Sequence, residues 1–317
     1  MANSIFDHPR FQDPVAARQY LESVRWPDGP VCPHCGSVSK DHYALNGDAQ
    51  RDGLYKCRDC REQFTVTVGT VFERSKIPLN KWVMLAELMC SSKKGISSKQ
   101  IERMLGVTYK TAWFMTHRMR EAMTPATGGK LGGGGIVEAD ETFIGRKPGT
   151  KKRRGYAHKE AVFSLVERSG NVRSFHVPDV TANTLKDKLN QNVAKSARLM
   201  TDDAGQYEKV GKTFLDHQAV IHSAGEYVRG DAHTNTVEGF FSIFKRGMYG
   251  VYQHVSSHHL HRYTTEFDFR YNHRETSIKI DGKWQKVGHN DAERAVAALK
   301  GIGGKRLTYR RTGETQA

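Results

Sequence analysis

The chain has 317 residues, 49 lysines and arginines against 34 acids, and a formal net charge of +15. That length accommodates roughly two or three domains and a sizeable core. The basic excess is spread along the sequence and favours a polyanionic partner, nucleic acid above all. No apolar run is long enough for a membrane span, residues Met1 to Phe11 lack a signal-peptide core, and five cysteines do not make a disulfide scaffold. A cytoplasmic protein is expected.

Residues 1–30 predict a short helix: Pro14 suits its first turn, Ala17, Tyr20, Leu21 and Val24 recur at helical spacing, and Trp26-Pro27-Asp28-Gly29-Pro30 stops it. Two knuckles follow, Cys32-Pro33-His34-Cys35 and Cys57-Arg58-Asp59-Cys60. Each presents two thiolates to one ion, and together Cys32, Cys35, Cys57 and Cys60 complete a closed tetrahedral site for structural Zn2+. With four thiolates filling the shell, His34 is a bystander. Alternation of Phe64, Val66 and Val68 with Thr65, Thr67 and Gly69 predicts the closing strand of a zinc ribbon over 31–72.

Residues 77–125 predict three helices. Trp82, Leu85, Ala86, Met89 and Cys90 share one face of the first, which makes Cys90 a core residue. Ser97 or Ser98 caps the second, which carries Ile101 and Leu105. Gly106-Val107 turns the chain, and Thr108 opens the third, with Ala112, Met115, Met119 and Met123 inward. Helix, glycine turn, helix predicts a helix-turn-helix DNA-binding domain. Its last helix is expected to show Tyr109, Lys110, His117, Arg118 and Arg120 to a DNA groove. Residues 126–135 predict a flexible glycine-rich linker.

Ile136 to Gly145 follows as a short buried strand carrying Asp140, a carboxylate that is costly there unless paired, solvated or bound to metal. Glu141 beside it is expected on the opposite face. A basic loop comes next, with Lys151, Lys152, Arg153 and Arg154 placed for phosphate binding. Strands at Ala161 to Val166 and Val172 to Val177, joined at Ser169-Gly170-Asn171, precede a helix from Thr181 to about Val193. A strand from Ala197 runs into Thr201-Asp202-Asp203, then come a short helix at Gly205 to Val210 and a fifth strand at Ala219 to His222. Val237, Phe240, Phe241 and Phe244 define a helix with a strong apolar face; Asn235, Glu238 and Lys245 share another side of it. A further helix lies within His254 to Arg274, and Asn290 to Lys300 predicts a last short helix within a basic C-terminal tail, 276–317.

The expected class is therefore α/β: an RNase H-like core over 136–275, with a mixed five-stranded sheet and helices, preceded by the ribbon and the helix-turn-helix. Acids on the first strand, the fourth strand and a late helix suit Mg2+, a hard ion that takes carboxylate and phosphate oxygens. Two such ions about 3.5–4 Å apart can activate a nucleophile and stabilise a leaving oxygen.

Both cysteine pairs, Phe64 to Glu73, Asp140-Glu141-Thr142-Phe143-Ile144-Gly145, Thr201 to Tyr207, His233-Thr234-Asn235 through Lys245-Arg246-Gly247, and Arg270 to Arg274 together resemble the zinc-ribbon DDE transposases of bacterial insertion sequences, the ISXO-two-like group. The resemblance covers nearly the whole chain. It implies that Asp140 and Asp202 are the first two catalytic acids, with Asp203 the alternative to Asp202. Glu238 is the choice for the third because a carboxylate is the better Mg2+ ligand, with Asn235 the alternative. Lys245, followed by Arg246, would hold DNA. The implied cofactors are two Mg2+ ions, or Mn2+, besides structural Zn2+. The implied reaction is cleavage at the element's ends, freeing a 3′-hydroxyl, then strand transfer into target DNA. The partners are double-stranded DNA of the terminal inverted repeats and the target, with a homodimer or larger synaptic assembly at the bacterial nucleoid. A nuclease without strand transfer and an inactive DNA-binding protein are the rival readings.

Overall fold

The computed structural model describes residues 4–308 apart from 48–49, 126–127, 169, 222–227 and 281. The chain divides into two units, one made of Met1–Ser92, Ile96–Thr124 and Glu275–Ala317, the other of Lys93–Gly95 and Pro125–Arg274.

The first unit begins with α1 (Pro9–Gln12) and α2 (Pro14–Arg25). The Asp13 carboxylate caps α2 by accepting from the Val15 and Ala16 amides, and Pro14 sits where a missing N–H costs nothing. Strands β1 (Tyr43–Ala44), β2 (Tyr55–Lys56) and β3 (Gln63–Phe64) form the antiparallel ribbon. The expected closing strand through Val68 stops at Phe64: the Val68 and Thr70 amides donate to the Thr65 and Thr67 carbonyls, closing turns instead of extending the ladder. Helices α3 (Leu79–Ser91), α4 (Ser98–Leu105) and α5 (Tyr109–Ala122) follow. Ser97 and Gln100 form a capping box on α4, Gly106 ends it in the left-handed region at φ 57°, and Thr108 caps α5. Cys90 is fully buried, as a core residue.

The second unit is built on β4 (Ile136–Ile144), β5 (Glu160–Glu167), β6 (Val172–Val177), α6 (Ala182–Asn192), β7 (Arg198–Asp202), α7 (Glu208–Gly211), β8 (Asp216–Val220), α8 (Asn235–Gly247) and α9 (Leu260–Asn272). The sheet order is β6-β5-β4-β7-β8; β4 runs antiparallel to β5 and parallel to β7, which runs parallel to β8. This is the RNase H-like arrangement. Alternation along β4 divides its residues between two cores. Val137 and Ala139 pack with Phe163, Leu165 and Leu199 beside Leu185 and Leu189 of α6. On the other face Ile144 and Val162 pack with Val237, Phe240, Phe241 and Phe244 of α8 and with Leu260, Tyr263 and Phe267 of α9. Strand β8 starts three residues before the expected Ala219; His222, like Ser169 in the β5–β6 turn, lies outside the described residues.

Two expectations need correction. The stretch taken as a flexible linker is tied to the sheet unit where it is described: the Leu131 amide donates to the Asn192 carbonyl, and the Ala194 amide donates to that of Leu131. Gly132 sits at φ +73°, and a Cβ there would lie 2.4 Å from Val137 Cγ2 and 2.7 Å from Ala197 Cβ, so glycine is needed for close packing rather than looseness. Ala126 and Thr127 lie outside the described residues. The C-terminal stretch is likewise folded. A hairpin of β9 (Thr276–Ile280) and β10 (Lys283–Val287) leads to α10 (Asp291–Lys300), which packs on α2 and α3 through buried Ala295, Ala298 and Leu299. Thr70 pairs with Gly303, and the Val71 amide donates to Ile302. Residues 309–317 lie outside the described residues.

Candidate active site and nucleic-acid interface

Two groups of candidate metal-ligand residues stand in the molecule. The first is local. Cys32, Cys35, Cys57 and Cys60 bring their sulfurs within 4.8 Å of one another, with 3.6 Å between Cys32 and Cys60 and between Cys35 and Cys57. Four sulfurs at about 2.3 Å from one zinc ion stand about 3.8 Å apart on a tetrahedron, so the residues fit Zn2+. Each knuckle is closed by its own backbone: the Gly36 amide donates to Cys32 and the Arg61 amide to Cys57. The His34 ring lies 3.3 Å from the Gln63 carbonyl, to one side of the four sulfurs.

The second group is assembled by the sheet. In the β4–β7 pairing Ile136 lies opposite Arg198, Val137 opposite Leu199 and Glu138 opposite Met200. Asp140 and Asp202 both stand four residues after the first of these pairs. The same register therefore sets them side by side, on the face that α8 covers. Burial pushes the Asp140 carboxyl up to about 8, and the charges of Glu141, Asp202 and Glu238 push it the same way, against the Glu141 amide that donates to Oδ1 at 2.7 Å. Glu238 lies in the first turn of α8, exposed, with Thr234 Oγ1 donating to its Oε1 at 3.0 Å. Asn235, at the first position of α8, is exposed as well, and so is Asp203, past the end of β7. The Asp202 carboxylate turns back to accept the Ala204 amide at 3.2 Å.

Among the described residues only the four cysteines have all their ligand atoms within 4.8 Å. Asp202 and Glu238 act on Asp140 over longer distances. A desolvated Asp140 carboxyl whose proton affinity is raised by neighbouring acids is part of a donor set that a hard divalent cation would stabilise. Glu141 points to the face opposite Asp140, as its neighbouring position requires. Gln206 Nε2 donates to its Oε1 at 3.3 Å; burial raises its carboxyl, and Tyr207 and Gln206 hold it back.

Sequence reasoning missed Glu138. It lies two residues before Asp140 on the same face of β4, is fully buried, and joins Arg168 to the start of α8. The signal was present: an acid at an inward position of a buried strand is costly without partners.

The expected DNA contacts divide. Tyr109 and Lys110 are exposed at the start of α5. His117 and Arg120, expected outward, are buried at 1% exposure each: His117 packs 4.0 Å from the Trp113 ring, and Arg120 donates to Thr116 Oγ1. Arg118 is partly buried, donates to the Glu73 and Leu307 carbonyls, and lies over the Phe114 ring. A cleft of about 310 Å³ opens beside it, with Arg74, Lys76 and Lys110 among its cations and Ile77, Trp82 and Phe114 among its apolar walls. Lys151, Lys152, Arg153 and Arg154 are all exposed in a loop held at its base by the Lys147 amide donating to His158 and by Phe143 stacked on Tyr156. Lys245 and Arg246 are exposed on α8, Arg246 donating to Ser242 Oγ at 2.7 Å.

Residues 130–272 match the ISXO2-like transposase domain, and residues 13–63 match the transposase zinc-ribbon domain. An uncharacterized protein in transposable element ISH50 of Halobacterium salinarum is 29% identical over 271 residues, which cover 80% of this chain and 89% of that protein.

Proposed function

We propose that the chain is an insertion-sequence transposase of the ISXO2-like, zinc-ribbon kind, in which Asp140, Asp202 and Glu238 carry out metal-dependent phosphoryl transfer on DNA. The observation that carries this reading is the β4–β7 register, which brings Asp140 beside Asp202 on the face covered by α8. Two acids far away in sequence, Asp202 and Glu238, then act on the desolvated Asp140 carboxyl.

These three side chains would hold Mg2+, with Mn2+ as a substitute. When bound, the ions supply activation of the attacking oxygen and charge stabilisation of the leaving one. The chain's own residues bind and orient the DNA. Lys245 stands about 10 Å along α8 from Glu238, two turns towards the C-terminus, where its ammonium meets a backbone phosphate, with Arg246 beside it. The Lys151–Arg154 loop adds further phosphate contacts. Tyr109, Lys110, Arg118 and the cleft beside them contact the element's terminal repeats, with the folded ribbon as support. The reaction is hydrolysis that frees a 3′-hydroxyl at an element end, followed by attack of that hydroxyl on a target phosphodiester. Two ends must be held at once, so the working form is a dimer or larger assembly in the bacterial cytoplasm. None of the described helices is long and apolar enough to cross a membrane.

A strand-transfer assay with a pre-cut end tests the reading. Joining of that end to target DNA in Mg2+ is expected; cleavage of an intact end without joining would make the protein a plain nuclease. Glu238→Gln and Asn235→Ala, assayed together, decide the third ligand: the first should abolish both steps and the second should spare them.

A further inference from the structure

Helix α8 does not cap itself. Its N-cap residue, Thr234, makes no side-chain capping bond. The amides a cap would satisfy, those of Thr236 and Val237, donate instead to Glu138 Oε2 at 2.8 and 3.0 Å, and Thr236 Oγ1 donates to Oε1 at 2.8 Å. Glu138 is therefore an N-cap supplied from another element, β4, and its charge is favourably placed at the positive end of the helix dipole. Its burial is offset by the Arg168 guanidinium, 2.6 Å from Oε1. Arg168 also donates to the Asp231 and His233 carbonyls, tying down the chain just before the helix.

Two acids thus share one face of β4 with opposite surroundings. Glu138 is surrounded by donors and a guanidinium. Asp140 accepts one amide and faces like charges. The first fixes where α8 begins relative to the strand that carries the second. With the cap supplied by Glu138, the Thr234 hydroxyl donates to Glu238 Oε1.

We propose that Glu138 and Thr234 are a pair of positioning residues: Glu138 caps α8 from the sheet, and Thr234, released from capping, orients the Glu238 carboxylate towards Asp140. The pairing rests on the assignment of Glu238 as a metal ligand. It also explains why a side chain on an exposed helix surface can serve a preorganised site, since an outer hydrogen bond fixes a ligand's direction.

The test uses zinc-loaded full-length protein and four variants, with Mn2+ affinity measured from the EPR signal of the free ion, melting temperature, and amide exchange across α8. Thr234→Val should weaken Mn2+ binding by about 10–100-fold while shifting the melting temperature by less than about 2 °C, because the helix keeps its cap. Thr234→Ser should restore affinity. Glu138→Gln should speed exchange at the Thr236 and Val237 amides, which Thr234→Val should leave protected. A melting-temperature drop of about 2–4 °C in Thr234→Val, with Mn2+ affinity unchanged, would overturn the pairing and make Thr234 an ordinary cap. Glu238→Gln separates the two failures. If it weakens Mn2+ binding and Thr234→Val does not, the pairing alone falls. If it leaves binding unchanged, the metal-ligand assignment falls, and the pairing with it.

Discussion

The cysteine group and the proposed carboxylate site would hold a cation in opposite ways. The cysteines come as two C-x2-C turns closed by their own backbone amides, and their sulfurs converge within 4.8 Å. The acids come from a strand centre, a strand end and a helix start, and they converge because a sheet register and a buried Glu138 clamp bring those elements together. A local site should depend on its ion for folding. A site built on an independent scaffold should keep its fold when the ion leaves.

The largest expected effect separates them on that ground. Structural zinc contributes on the order of 10–16 kcal/mol to small domains of this kind. Zinc chelation should therefore collapse the ribbon, read as a change in Trp26 emission, since that ring packs edge-on against Tyr55 and Phe64 at 5.7 and 5.9 Å. Withholding Mg2+ from zinc-loaded protein should stop cleavage and leave both the Trp26 signal and the melting transition unchanged.

The next effect concerns the scaffold. Gly132→Ala places a methyl against Val137 and Ala197 at a positive φ. It should destabilise the second unit by about 1–3 kcal/mol, measured by urea unfolding. A neutral result would mean that the glycine run is as loose as its composition suggests.

The comparison also shows what the sequence could carry. The zinc ligands were legible because all four lie in two short turns. Most sheet strands, α4, α5 and α10 were legible from periodicity and caps. The choice between Asn235 and Glu238 was not legible, because they share a helix side, and their distances from Asp140 depend on how α8 is anchored. That anchor, Glu138, lies 98 residues from Thr236. His117 and Arg120 were misplaced because polarity was taken for exposure. Arg120 stands one residue after Met119 and eight after Ala112, inside the inward stripe of α5, and Thr116 shares that stripe. In the C-terminal stretch the helix was legible but its packing was not, although the alanines of α10 already marked a packing face.

That correction carries its own test. Arg120→Ala should cost about 2 kcal/mol or more of stability, because a buried polar contact is lost. Lys110→Ala should leave stability unchanged, weaken DNA binding across sequences, and lower the salt slope by about 1. Equal melting temperatures for the two variants would contradict the burial seen here.

A smaller effect lies in the sheet unit away from the acids. Asp268, half-buried against β6, accepts from the Ser174 amide and hydroxyl at 2.7 and 2.6 Å. Burial nevertheless raises its carboxyl to about 7. The native state then keeps this proton up to about pH 7, whereas the unfolded chain releases it near pH 4. Between these values the native state binds more protons, so this group's contribution to stability falls as pH rises, by at most about 1.4 kcal/mol per pH unit. Asp268→Asn should flatten the stability profile between pH 4 and 7.

The central claim is that the acid group is a reaction centre carried by a fold that stands without its ion. Asp140→Asn, assayed on a labelled element end in Mg2+, tests it most directly. Cleavage should fall by about 10³-fold or more, the scale of losing a main electrostatic stabiliser, with DNA affinity within about 2-fold of the parent because the phosphate contacts lie elsewhere. Cleavage at the parent rate would contradict the assignment of Asp140 and of the site built around it.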